Sequence, residues 1–325
     1  MQSPSSIRLE AGIVTLAPPS RPGQGAPPKS LRGAMLASPA GLAPSAEPSA
    51  THCPAIHTSP LVLVTSTSAS AYANAERHKS LWDKPSPAPL WLFHEDSWAR
   101  MHSQPTRASI GLPVAAACFT DIFEAEPWLF GAVGRGGPID NFYAFAGDME
   151  PCDQPLAIKS GKLLVRKVAS MHHAVRALRN GTLVVWLDID VTFNQAPDED
   201  FARFASQYDV SFIPITTNKV KGVPIRTYQV NFKGLDSPYW RLESGVVAFR
   251  VGAGALKLLS RAIDLYTGGL LRLARRCLSG RHAAEPPCTA PWLRRNVYLD
   301  DIFLFSLVLH EAHYAALGRP GELTD

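Results

Sequence analysis

Between residues 162 and 187 an amphipathic helix pattern, an Asn-Gly pair and an unbroken apolar run follow one another without a gap, and that succession narrows what the chain can fold into. Leu164, Val168, Met171, Val175 and Leu178 recur at steps of four and three, which predicts a helix over 162–179 with Lys162, Arg166 and Lys167 in its first half. Asn180-Gly181 ends it, because glycine takes the left-handed conformation that closes a helix at little cost. Leu183 to Leu187 then reads as a buried strand. A helix that feeds a buried strand is half of a crossover unit, the building block of a parallel sheet.

The rest of the chain repeats the alternation. PLVLVTSTS (60–68), PLWLFHEDS (89–97), LPVAAACFTDIF (112–123), DVSFIPI (209–215) and SGVVAFR (244–250) are further strand candidates, several of them ending in polar groups. The fold class expected is α/β, a mostly parallel, Rossmann-like central sheet flanked by helices. Ligands of such sheets lie beyond the carboxyl ends of the strands. The glycine-rich GAVGRGGP (131–138) lacks the spacing of a phosphate loop.

At 325 residues and 46% hydrophobic content the chain can bury a large core. Residues 1–59 differ: they hold 10 of the 28 prolines and only two acids, so they read as a disordered tail or a targeting segment, leaving 60–325 as one folded domain. No run of about 18 apolar residues occurs, so no membrane-spanning helix is expected. A net charge of +4 is mild and does not call for nucleic acid as a partner. The densest basic cluster, Arg272, Arg275, Arg276 and Arg281, shares its segment with Leu270, Leu273, Ala274 and Cys277 at helical spacing, the pattern of a solvated basic helix face. Five cysteines without a C-x-x-C pair argue against zinc, and Cys277 and Cys288 are close enough in sequence to bridge a loop in an oxidising compartment. Asn180-Gly181-Thr182 matches a glycosylation sequon, in a tight turn that suits it poorly.

The strand at 183–187 runs straight into Asp188 and Asp190. In an extended chain these two share a face, with roughly 7 Å between their Cα atoms. Like charges at the end of a buried strand repel unless a cation or bound protons relieve them. A divalent Mn2+ or Mg2+ suits the position, since such ions accept one or two carboxylates while phosphates and waters fill the remaining sites. A nucleotide sugar supplies the phosphates, and the ion would neutralise the diphosphate leaving group. The structural alternative is that one of the two acids caps the helix that follows.

WLDIDVTF, then an acidic, aromatic helix, then YDVSFIPI, then W-R-L-E-S-G-V-V-A-F-R together resemble the GT-A glycosyltransferase superfamily, with its D-x-D strand and its later [NE]-[ST]-G segment. The resemblance runs from about residue 60 to about 313 and is most specific between 162 and 250. It implies a UDP- or GDP-sugar donor and a glycan, protein or small-molecule acceptor. It places Asp190 on the metal, Asp188 on the metal or the ribose, Thr65 near the base, and Arg166 or Lys167 near the diphosphate or base. Glu243 and Ser244 would border the donor-sugar or acceptor pocket, and Asp300 or Asp301 would meet the acceptor. The C-terminal H-x-x-G-x-x-K-P-W pattern of several metal-dependent branches is matched only loosely by HEAHYAALGRPGELTD, with His310 and His313 as the histidines available. A secretory lumen such as the Golgi is the compartment expected, with a plastid as the alternative.

Two other readings fit the same segment. D-I-D-V-T (188–192) also looks like the signature of haloacid dehalogenase-type phosphatases, with Asp188 as nucleophile, ITTNK (215–219) as second motif and Asp300-Asp301 as metal pair. That signature opens its domain, whereas three strand candidates come first here. A non-catalytic sugar-binding module would have the same fold.

Overall fold

The computed structural model describes residues 54–68, 88–104, 106, 117–147, 154–189, 199–220, 223–227 and 241–278, with positions 299, 301, 304, 305 and 307–309. Helix α1 (Pro54–Thr58) leads into strand β1 (Leu61–Ser66). Strand β2 (Leu90–His94) is followed by α2 (Asp96–Met101), and β3 (Ala117–Asp121) by α3 (Ile122–Ala125), α4 (Trp128–Val133) and α5 (Pro138–Gly147). The long α6 (Gln154–Ala177) delivers β4 (Leu183–Leu187), and α7 (Glu199–Ala205) follows. Strands β5 (Val210–Val220), β6 (Val223–Thr227) and β7 (Arg241–Arg250) precede α8 (Ala253–Asp264), a π-turn at Leu265–Gly269 and α9 (Leu270–Leu278).

The strands form one mixed sheet in the order β3-β2-β1-β4-β7-β5-β6. The pairs among β1 to β4 are parallel, while β7 runs antiparallel between β4 and β5. Strand β5 therefore points the same way as β1 to β4, so five of the seven strands among the described residues share a direction and the sheet is mostly parallel, as the alternation predicts.

Side chains alternate along each strand, and both faces are buried. Val62, Val64, Trp91, Phe93, Val184, Trp186, Val247 and Phe249 pack on one side with α6, α8 and the described residues from 299 to 309. Leu61, Leu63, Leu183, Val185, Leu187 and Ala248 pack on the other, against Phe201, Ala202 and Ala205 of α7. Burial on both faces is why β1 and β4 read as continuous apolar runs rather than as alternating ones.

Helix α6 starts earlier than its apolar pattern suggests. Gly161 lies inside it, where a Cβ would come within 3.1 to 3.3 Å of Tyr143, Ile139 and Leu299, so the glycine permits close packing rather than marking a break. The Asn-Gly turn stands as expected, with Gly181 at φ +88°. Leu270, Leu271 and Ala274 of α9 are buried while Arg272, Arg275 and Arg276 are not, the amphipathic face foreseen for that segment.

The packed part begins before residue 60. Ile56 of α1 is 2% exposed within the main core, and Leu183 N donates to the Pro60 carbonyl at 2.8 Å. Removing residues 1–59 is therefore expected to destabilise the protein relative to removing 1–53 by about 2–4 kcal/mol, the usual cost of losing a buried isoleucine side chain. Equal melting midpoints of the two truncations would show that α1 contributes nothing.

Candidate functional site

The strand order turns between β1 and β4: the chain builds β2 and β3 on one side of β1, then crosses to place β4 on the other. At such a point the connections leave in opposite directions and open a crevice beyond the carboxyl ends of the strands. Asp188 follows the last residue of β4 at this edge, its backbone N–H bonded to the Gly245 carbonyl of β7 at 2.8 Å. By alternation it shares the face of Val184 and Trp186, over α6. Its Oδ1 accepts from Trp186 Nε1 at 2.8 Å and lies 2.7 Å from Lys167 Nζ, while the side chain keeps 35% of its surface open.

Lys167 gathers the site. Its ammonium lies 2.7 Å from Asp188 Oδ1, 2.6 Å from Asp301 Oδ2 and 3.2 Å from Ser244 Oγ. The side chains of Lys167 and Asp301 are 7% and 5% exposed. Burial alone would lower the lysine pKa, but the charges of Asp301 and Asp188 and their hydrogen bonds outweigh it and hold the group above its ordinary 10.5. The ammonium also stands 5.6 Å from the centre of the Trp186 ring, a favourable cation–π position.

Ser244 reaches this cluster through an irregularity in β7. The β5–β7 register passes from Phe212↔Val247 to Ile213↔Glu243, so three residues of β7, Ser244-Gly245-Val246, intervene where β5 has none. Such a bulge re-aims side chains, and here it turns Ser244 toward Lys167.

Four of the residues that the resemblance implicates thus meet: Lys167, Asp188, Ser244 and Asp301. Two others do not join them. Thr65 follows Val64, which pairs with Trp186, so it lies at the same edge but on the opposite face from Asp188. Its Oγ1 is buried with no hydrogen-bond partner among the described residues. Arg166 is committed elsewhere, paired with the buried Glu95 and set 5.4 and 5.3 Å from the ring centres of Trp98 and Phe123. The Glu95 carboxylate holds its guanidinium in this structure. Asp190, Asp300, His310, His313 and the side chain of Glu243 lie outside the described residues, as do Cys53, Cys152, Cys288 and the side chain of Cys277.

Other buried polar groups line the same edge without having stood out as site residues. Burial raises the Glu95 pKa above its usual 4.5, and the attraction of Arg166 offsets this only in part. His94 Nδ1 sits 3.5 Å from Asp96 Oδ2 and 3.7 Å from Asp121 Oδ2. Asp121 also caps α3 through the N–H groups of Phe123 and Glu124, and it accepts from the N–H and hydroxyl of Ser97. The run His-Glu-Asp directly after an apolar strand was the available signal for this cluster. Cys118 of β3 is disulfide-bonded.

Among the described residues no group of three His, Cys, Asp or Glu side chains is placed to hold a metal ion. Asp188 can still contribute one oxygen, because Oδ1 is taken by two donors while Oδ2 faces none among the described residues. That fits an ion whose remaining positions are filled by phosphates and water. No helix among the described residues is long and apolar enough to cross a membrane. The chain matches no protein-family model and no curated protein.

Proposed function

We propose that this protein is a GT-A-type glycosyltransferase that moves a sugar from a UDP- or GDP-sugar to a glycan, protein or small-molecule acceptor. The observation that carries the reading is the position of Asp188: a half-open carboxylate at the carboxyl end of β4, beside the point where the strand order turns. The acidic pair of the D-x-D segment would hold Mn2+ or Mg2+ through Asp190 and the free oxygen of Asp188. That ion would supply positive charge to the diphosphate leaving group.

Charge balance supports a requirement for the ion. Two carboxylates, Asp188 and Asp301, already surround the Lys167 ammonium, so it has no positive charge to spare for a diphosphate. A second anion enters such a site only with added positive charge. Thr65 Oγ1, buried and unpartnered, is a polar atom suited to a nucleotide group at the same edge. Asp301 is the late acid that the described residues bring to this cluster. The Cys118 disulfide favours an oxidising compartment such as a secretory lumen.

A thermal-shift series with UDP-, GDP- and CMP-sugars, each with Mn2+ and with EDTA, tests the reading. A ligand at 100 times its dissociation constant stabilises by about 2.7 kcal/mol, so one nucleotide class is expected to raise the midpoint by several degrees with Mn2+ and far less with EDTA. Equal shifts in both conditions would remove the ion from the scheme. No shift with any nucleotide sugar would remove the donor.

A further inference from the structure

We propose that Lys167 is a positioning residue, which clamps Asp188 and Asp301 into one fixed pair and does not itself contact the donor. The placement of Asp188 beside a donor rests on the proposed function, whereas the clamp rests on geometry alone. A lysine ammonium has three N–H donors. Three oxygens surround Nζ within 3.2 Å, from Asp188, Asp301 and Ser244, so no donor is left for a phosphate or a sugar hydroxyl. The lysine side chain is 7% exposed against 35% for Asp188, so the carboxylate and not the ammonium meets solvent.

The three partners come from separate elements. Asp188 follows β4, Ser244 sits in the β7 bulge, and Asp301 belongs to the described residues near the end of the chain. Leu299, two residues before Asp301, is fixed independently: its N–H donates to Tyr143 Oη at 2.8 Å, and its carbonyl accepts from Tyr266 Oη at 3.4 Å. Asp301 is thereby presented to Lys167 from a rigid base. The lysine transmits that rigidity to Asp188, whose carboxylate would otherwise be held at this open edge by Trp186 Nε1 alone among the described residues.

The test uses the full chain with Lys167→Met, Asp301→Asn and the double substitution, read by melting midpoint without ligand and by donor kinetics. Lys167→Met takes away the ammonium that Asp188 and Asp301 share, and the midpoint is expected to fall by roughly 10 °C. Adding Asp301→Asn removes one of those charges and is expected to recover at least half of the loss. In the kinetic arm, Lys167→Met is expected to lower kcat by more than about tenfold while the donor KM stays within about twofold, as for lost positioning rather than lost binding. A double variant no more stable than Lys167→Met would overturn the clamp, as would a donor KM raised tenfold with kcat retained. An insoluble Lys167→Met beside a soluble double variant supports it, and equal insolubility of both counts against it. If the parent transfers no sugar, the glycosyltransferase reading fails, and the midpoints decide the clamp by themselves.

Discussion

Trp186→Ala is expected to cost about 3–5 kcal/mol, the range for truncating a large aromatic in a close-packed core, and to lower the melting midpoint by on the order of 10 °C. The side chain is 1% exposed and stands on β4 among Val64, Phe249 and the α6 stripe. Against a total stability of about 5–15 kcal/mol, that loss can unfold the protein at body temperature. Trp186→Phe separates core from site. It keeps most of the apolar area but removes the Nε1–H that binds Asp188 Oδ1, so a smaller loss of about 1–2 kcal/mol is expected, with a weaker hold on that carboxylate. Denaturant titration of both variants checks the order, and a Phe variant as unstable as the Ala variant would assign the whole effect to the hydrogen bond.

The second large effect is expected at Glu126. This carboxylate is 3% exposed; its Oε1 lies 2.9 Å from His173 Nδ1 and accepts from Arg176 at 2.6 Å, and its Oε2 accepts from Trp128 Nε1 at 2.8 Å. Removing one partner of a buried charged network costs about 3–5 kcal/mol when every remaining group stays buried. Arg176 is half exposed and regains water, so Glu126→Ala is placed lower, at about 2–4 kcal/mol, from the stranded His173 and Trp128 groups. Burial by itself would raise the Glu126 pKa; the hydrogen bonds from His173 and Trp128 and the charge of Arg176 outweigh it and leave the group below 4.5. A carboxylate depressed in the folded state adds stability that is complete above its unfolded pKa and fades as pH falls through the folded one. The gap between parent and Glu126→Gln is therefore expected to be full at pH 7 and to shrink below about pH 4.5, a window that denaturation at several pH values resolves. A gap that stays constant down to pH 3 would show that the ionised carboxylate contributes no more than a neutral amide.

Much of the sheet was legible in the sequence because double-sided burial writes itself as apolar runs. Strands β1 and β4 begin within a residue of where those runs begin, and the Asn-Gly turn sits where its chemistry demands. Strand β6 was missed for a local reason: it carries Pro224, which lacks a backbone donor and suits the sheet edge where β6 lies. The direction of β7 was not legible, since antiparallel pairing with β4 is a long-range choice that no local pattern encodes.

The site divides in the same way. Asp188 stands out because a charge follows an apolar strand. The burial of Lys167 is also readable: it lies three residues after Leu164 and four before Met171, within the apolar stripe of α6. Its partners were not readable, because Ser244 depends on a bulge and Asp301 on the docking of a distant segment.

The bulge and the clamp also fix the order in which the molecule can become functional. Lys167 is made well before either Ser244 or Asp301, and its contacts to them close long loops, which form late because chain entropy must be lost before they give any return. A chain still emerging from the ribosome can assemble β1 to β4 and display Asp188. It lacks Asp301 until 301 residues have been made, so a translation product interrupted before that point would carry the crevice without the second acid that Lys167 grips.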